Sequence, residues 1–242
     1  MIVRWFPSVV MLASACAGLW IGEPVQQAAE APIRVMFIGG SAAHGWKAVH
    51  NQSYLKRAFQ ETSEKMGQPV QIFDHTIPGE TVPGLSLKTY EHWLKTERPD
   101  IVVLSWGLLN DVHQRTPLST FDAAIRGEIE QALQAHAVVL MVTPPVTKAS
   151  TASAWPLESA YMADEMRAAA SFHSPNLYQF DLFQQMKEAL QAAGQTVEPY
   201  AADGAHPNTA GHALAGRLLA NDFLQRFGSS FPTFQAERSR QT

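Results

Sequence analysis

Apolar positions in this chain gather into five short runs, separated by longer stretches with a helical period. Ile33 to Ile38, Val70 to Phe73, Ile101 to Ser105, Val138 to Val142 and Leu177 to Phe180 are nearly unbroken apolar segments with turn-forming residues nearby. Runs of that length read as strands buried on both faces. Between the first two, Leu55, Ala58, Phe59 and Thr62 fall on one stripe of a helix predicted from Tyr54 to Met66, with Ser53 as its cap and Gly67 as its stop. Phe121, Ile125, Ile129 and Leu133 repeat at the same spacing over Leu118 to Gln134. Further helices are predicted for Leu85 to Thr96, Pro156 to Ser171, Leu182 to Ala193 and Thr209 to Phe227, whereas Val146 to Ala154 has no clear period. From Gly228 onward the chain reads as a frayed, flexible tail.

Strands alternating with helices argue an α/β fold in which a parallel sheet is covered on both faces by right-handed crossovers. Such sheets bind ligands at the carboxyl ends of their strands. The polar clusters of this chain fall there: Ser41 after the first strand, Gly79 after the second, Asn110 after the third, Thr143 after the fourth, and Asp203 and His206 after the fifth.

With 242 residues and no linker, repeat or low-complexity tract, the chain supports one domain, over residues 32–228. A net charge of −4 with scattered basic residues excludes an electrostatic case for nucleic acid. Residues 1–31 differ from the rest. Arg4, an apolar run from Trp5 to Gly22 and the small-residue exit Ala29-Glu30-Ala31 have the layout of a signal peptide or an N-terminal membrane anchor, with a buried helix as the alternative. Cys16, the only cysteine, follows Leu12-Ala13-Ser14-Ala15, which resembles a lipoprotein cleavage box. Export is therefore expected, to the extracellular space or to the cell surface with membrane attachment. Beyond Cys16 there is no thiol for a disulfide, a nucleophile or a metal site.

Acyl transfer by serine needs a hydroxyl, a base, a group that orients the base, and donors for the oxyanion. Ser41 follows a strand that stops at Gly39-Gly40. His206 has a carboxylate, Asp203, three residues before it and a proline after it. Gly79 can present a backbone N–H to a substrate at close range, and Asn110 a side-chain N–H. Each has a plainer reading. Ser41 can cap a helix, Asn110-Asp111 can form a turn, and His206 can be a satisfied histidine at a helix start. A metal site from Asp203, His206 and His212 is disfavoured, since His212 lies nearly two helical turns beyond His206. Gly40 to Lys47 falls short of a phosphate loop, because Trp46 stands where lysine must be. No cofactor or metal is implied, although flavin binding is compatible with such a sheet. His44, His50, His92, His113, His136 and His173 read as surface or packing residues. Trp106 and Trp155 read as core or pocket wall, with carbohydrate platforms as the second reading.

Four blocks in order, Gly-Gly-Ser41, Pro78-Gly79-Glu80-Thr81, Gly107-Leu108-Leu109-Asn110-Asp111 and Asp203-x-x-His206-Pro207, resemble the SGNH hydrolases, or GDSL-like lipases and esterases. The resemblance spans the chain after the leader. It implies a flavodoxin-like three-layer α/β/α sandwich with five parallel strands in the order 2-1-3-4-5. It also implies Ser41 as nucleophile, His206 as base, Asp203 as its orienter, and an oxyanion hole made by the N–H groups of Ser41 and Gly79 with the Asn110 amide. The implied activity is hydrolysis of a carboxylic ester of a lipid, a short acyl group or a sugar O-acetyl group. One position departs from the pattern: Gly40 stands where the family commonly has aspartate. That departure gives weight to the alternative of a non-catalytic glycan-binding protein on the same scaffold. His75 replaces a frequent asparagine and is expected to shape its loop.

Overall fold

The computed structural model describes Met1 and residues 31–152 and 155–236. The predicted signal peptide or anchor, with Cys16, lies outside the described residues. Strands β1 (Ile33–Gly39), β2 (Val70–Asp74), β3 (Ile101–Ser105), β4 (Val138–Val142) and β5 (Leu177–Phe180) form one sheet in the order β2-β1-β3-β4-β5. All four pairings are parallel. Every residue of β3 and β4 is buried, as their unbroken apolar sequence requires of central strands.

The helices are α1 (Ser41–His44), α2 (Tyr54–Met66), α3 (Leu87–Glu97), α4 (Leu109–Gln114), α5 (Leu118–Gln134), α6 (Trp155–Ala170), α7 (Leu182–Ala192) and α8 (Thr209–Phe227). Helices α2 and α8 pack together, and α3, α5 and α6 pack side by side. The result is the expected three-layer arrangement. Ser53 caps α2 by accepting the Lys56 N–H, and Gly67 ends the helix in a left-handed conformation, as their sequence positions predict.

Three features differ from the sequence reading. Helix α3 starts at Leu87 instead of Leu85, because Val82–Gly84 is a 3-10 turn and Ser86 occupies the N-cap position. Helix α4 has no counterpart in the sequence reading, being too short to show a period, and α1 places Ser41 as its first residue and not its cap, which is Gly40. The expected frayed tail is docked as far as residue 236. Phe231 is buried and stacks on Phe59, its N–H donates to Gln68 Oε1 at 2.7 Å, and Asn176 bonds the backbone of Gln235 in both directions.

The far helical layer also buries acids. Glu128 of α5 and Glu165 of α6 are both fully buried. Trp106 Nε1–H donates to Glu128 Oε2 at 2.9 Å, while Glu128 Oε1 has no partner among the described residues. Burial pushes Glu128 from 4.5 up to about 8, against the Trp106 bond and with a smaller contribution from Asp111. Burial, followed by the charges of Asp181, Asp111, Glu128 and Glu158, likewise drives Glu165 well up. Near neutrality Glu128 stays protonated, which removes most of the cost of burying it, and burial favours the same form at Glu165. Between pH 4.5 and about 8 the unfolded chain releases a proton from position 128 that the folded chain keeps. Glu128 therefore lowers stability as pH rises through that window, and its contribution is flat on either side. Thermal melts across it are expected to show Glu128→Gln gaining on the wild type with increasing pH; parallel Tm profiles would contradict a protonated Glu128.

Candidate active site

The two glycines that end β1 serve different purposes. A Cβ at Gly39 would lie 2.1 Å from the Ser105 carbonyl oxygen on the neighbouring strand, so only glycine fits there. At Gly40 a Cβ would find Gly107 N at 3.6 Å and Asn110 Nδ2 at 3.9 Å, which are ordinary contacts, and the backbone is extended (φ −94°). Ser41 follows as the first residue of α1, so its N–H is one of the orphan donors that a helix start leaves free.

The Asp203 carboxylate organises the opposite wall. Its Oδ1 accepts the N–H groups of Ala205 and His206, both at 2.8 Å, and the same carboxylate lies 3.0 and 3.1 Å from His206 Nδ1. Burial pushes the Asp203 carboxyl up, but these backbone N–H groups and the imidazole outweigh it and hold the group below its ordinary value. With Nδ1–H donated to a carboxylate, Nε2 of the neutral ring is left as an acceptor. Ser41 Oγ lies 2.9 Å from it, across 165 positions of sequence. Hydroxyl, imidazole and carboxylate thus form one unbroken row.

The Gly79 loop and Asn110 complete the site. Gly79 has φ +88°, a left-handed conformation that favours glycine, and nothing lies within 4 Å of where its Cβ would be. The loop is laid against β1 by His75 N–H to Phe37 O at 3.0 Å and Ile77 N–H to Gly39 O at 2.8 Å. Leu108 is buried and also left-handed, with φ +61°, and it turns the chain into α4. From there Asn110 Nδ2 donates to Glu80 O at 2.9 Å. That bond uses one of its two amide hydrogens and leaves the other for a ligand.

Other predicted residues fall outside this row. The Thr143 hydroxyl donates to Asp181 and accepts the Phe183 N–H, so it secures the start of α7. His212 gives both ring nitrogens to backbone groups, accepting Tyr54 N–H at 3.3 Å and lying 3.4 Å from Trp46 O, which takes it out of any metal set with His206. His75 shapes its loop as expected, with Nε2 2.8 Å from Glu97 Oε1 and its ring stacked on Trp93. Trp106 is core, not a carbohydrate platform. Trp155 stacks on Phe183 in the wall of a cavity of about 540 Å³ that also takes in Val146 and Leu190. Sequence reasoning missed His44, whose Nδ1 contacts Thr76 Oγ1 at 3.0 Å. The available signal was its place one helical turn after Ser41.

The chain matches the GDSL-like lipase/acylhydrolase family over residues 37–214. It belongs to that family. As a member of the GDSL-like lipases and acylhydrolases it is an ester-hydrolysing enzyme. No curated protein gives a significant match to the chain. Among solved structures, a member of the lipolytic protein G-D-S-L family from Veillonella parvula is 18% identical, with a TM-score of 0.61, over 80% of this chain and 97% of that one. A catalytic mutant of an acetylxylan esterase from Geobacillus stearothermophilus is 16% identical, with a TM-score of 0.61, over 81% and 94%. The psychrotrophic esterase EstA from Pseudoalteromonas sp. is 15% identical, with a TM-score of 0.60, over 82% and 100%. At these identities the likeness is one of fold.

The contrast between the two glycines is open to test. Gly39→Ala is expected to cost about 3 kcal/mol or to prevent folding, as overpacking against backbone does. Gly40→Ala and Gly40→Asp, the latter inserting the family's usual aspartate, are expected to melt within about 2 °C of the wild type. A large loss of Tm at position 40 would show that the Gly40 site is tighter than its 3.6 Å clearance.

Proposed function

We propose that this GDSL-family enzyme is an exported serine esterase in which Ser41 is the nucleophile, His206 the general base and Asp203 the group that orients it. The reading rests on the row of Ser41, His206 and Asp203 at 2.9 and 3.0 Å. Ser41 Oγ attacks the ester carbonyl carbon while its proton passes to His206 Nε2. Negative charge then develops on the carbonyl oxygen, where the N–H groups of Ser41 and Gly79 and the free amide hydrogen of Asn110 stabilise it. Collapse of the tetrahedral intermediate expels the alcohol, which takes the proton from His206, and leaves an acyl-serine. Water, deprotonated by the same imidazole, then attacks the acyl carbon and releases the carboxylate and free Ser41. The ionised Asp203 steadies the imidazolium that forms in each half of the cycle.

The proposed substrates are carboxylic esters of lipids, short acyl groups or sugar hydroxyls. Sugar acetates come first because an acetylxylan esterase shares the fold. Export rests on residues 1–31, whose forms are a cleaved signal peptide, a retained N-terminal membrane anchor and lipid attachment at Cys16; fractionation of cells making the full chain is expected to find it outside the cytoplasm.

Ser41→Ala and His206→Ala are each expected to lower kcat by about 10³-fold or more, to similar residual levels, because the two groups act as a unit. A fluorophosphonate probe is expected to label the wild type and not Ser41→Ala. Folded wild type that stays unlabelled, or His206→Ala turning over at the wild-type rate, would overturn the assignment.

A further inference from the structure

Beyond Gly79 its loop is held where Asp111 Oδ2 accepts the Val82 N–H at 3.2 Å, and two further side-chain clamps act closer to the glycine. Asn110 is one, through Glu80 O. The other stands on the short helix of the nucleophile. His44 lies three residues after Ser41, at the end of α1, and its Nδ1 is 3.0 Å from Thr76 Oγ1. Thr76 Oγ1 is in turn 2.5 Å from Asp74 Oδ1, and Asp74 Oδ2 is 2.7 Å from Lys56 Nζ on α2. Burial raises the Asp74 carboxyl, but the bonds from Lys56 and Thr76 outweigh it and keep the group below its ordinary value.

The chemistry of these groups sets the direction of every bond. An ionised carboxylate only accepts, so the single Thr76 proton is donated to Asp74. Thr76 Oγ1 can then only accept from His44, which places a proton on His44 Nδ1. Thr76 is buried, so its hydroxyl needs both partners. The row therefore runs from the nucleophile's helix, through the loop, to α2 with one consistent set of donors.

Backbone bonding at Gly79 is confined to the turn closed by Glu80 N–H to Ile77 O at 3.2 Å, which shapes the corner but does not tie it to β1. The last backbone bond to β1 is at Ile77, two residues before Gly79, and no atom packs against the α-carbon side where a Gly79 side chain would be. Helix α1 has only four residues to hold Ser41 in place. An oxyanion hole works only when its donors are set in advance to a fraction of an ångström. We propose that His44 is a positioning residue: through Thr76 and Asp74 it fixes the Gly79 N–H relative to Ser41, so that both N–H groups reach the oxyanion together. This rests on the proposed function, in which those two groups stabilise the intermediate.

Steady-state hydrolysis of p-nitrophenyl acetate by the full chain tests it. His44→Leu keeps the bulk and loses the donor; Thr76→Val keeps the shape and loses the hydroxyl. Each is expected to lower kcat about tenfold with KM within about twofold, because the effect falls on the transition state. The rate of labelling by a fluorophosphonate, which needs the same two donors, is expected to fall in parallel. His44→Asn, which retains a donor close to the Nδ1 position, is expected to recover most of the rate. The double variant His44→Leu/Thr76→Val is expected to be no slower than either single one. Three results would overturn the proposal: kcat within about twofold of the wild type in both single variants, losses that add in the double variant, or no recovery with Asn. If His44→Leu does not fold, Thr76→Val and His44→Asn decide alone. Ser41→Ala separates the two levels of the argument. Full activity in Ser41→Ala removes the serine mechanism and His44 with it; an inactive Ser41→Ala beside an unaffected Thr76→Val removes only the positioning role.

Discussion

The site depends on how closely helix α8 lies against α2. At Gly216 of α8 a Cβ would sit 2.7 Å from Arg57 Cβ and 3.0 Å from Tyr54 O, so the two helices meet there with no side chain between them. A larger residue at that point would force them apart, and interhelical distance is set by the side chains at the contact. The segment that carries His206 leads into α8 and the one that carries Ser41 leads on to α2, so hydroxyl and imidazole stand on the chain stretches that this helix pair joins. Further bonds secure the same junction. Val49 N–H donates to Thr209 Oγ1 at 3.1 Å, and His212 lies between Tyr54 N and Trp46 O. Burial depresses His212 to about 4, so the ring is neutral near pH 7 and can accept at Nδ1 while donating at Nε2.

The same residue types are held in opposite charge states by their surroundings. Asp203 and Asp74 collect N–H, hydroxyl and ammonium donors and stay ionised, each as the anchor of a row that ends in an imidazole. Glu128 and Glu165 lie in the apolar layer around α5 and α6, where donors are few, and burial favours their protonated forms. The two ionised aspartates thus lie near the edge of the sheet where the strands end, and the two buried glutamates lie within the helical layer.

The strands, most of the helices and the parallel sheet were legible because their causes are local, whereas the order 2-1-3-4-5 came from the resemblance of four short blocks to the SGNH hydrolases. Five apolar runs bounded by turns and six predicted helices leave few arrangements when crossovers are right-handed. The end of the chain was misread because nothing in Phe231 to Gln235 shows that Phe59, Gln68 and Asn176, far away in sequence, offer these residues contacts. Helix α4 escaped because six residues cannot express a period of 3.6 with any clarity.

What the residues determined by themselves were the identities at the site: a serine after two glycines, a glycine in a turn, an asparagine, and an Asp-x-x-His before a helix. Their chemistry and their places at strand ends depend on residue type and short spacing, which a chain carries without folding. Tertiary structure alone decided the distances between them, which glycine has no room for a side chain, and that His44 meets Thr76. Gly39 and Gly40 are identical letters, and only the carbonyl of Ser105 on the neighbouring strand tells them apart. Contacts between distant segments depend on how helices and strands pack, and packing exists only once the whole chain has folded.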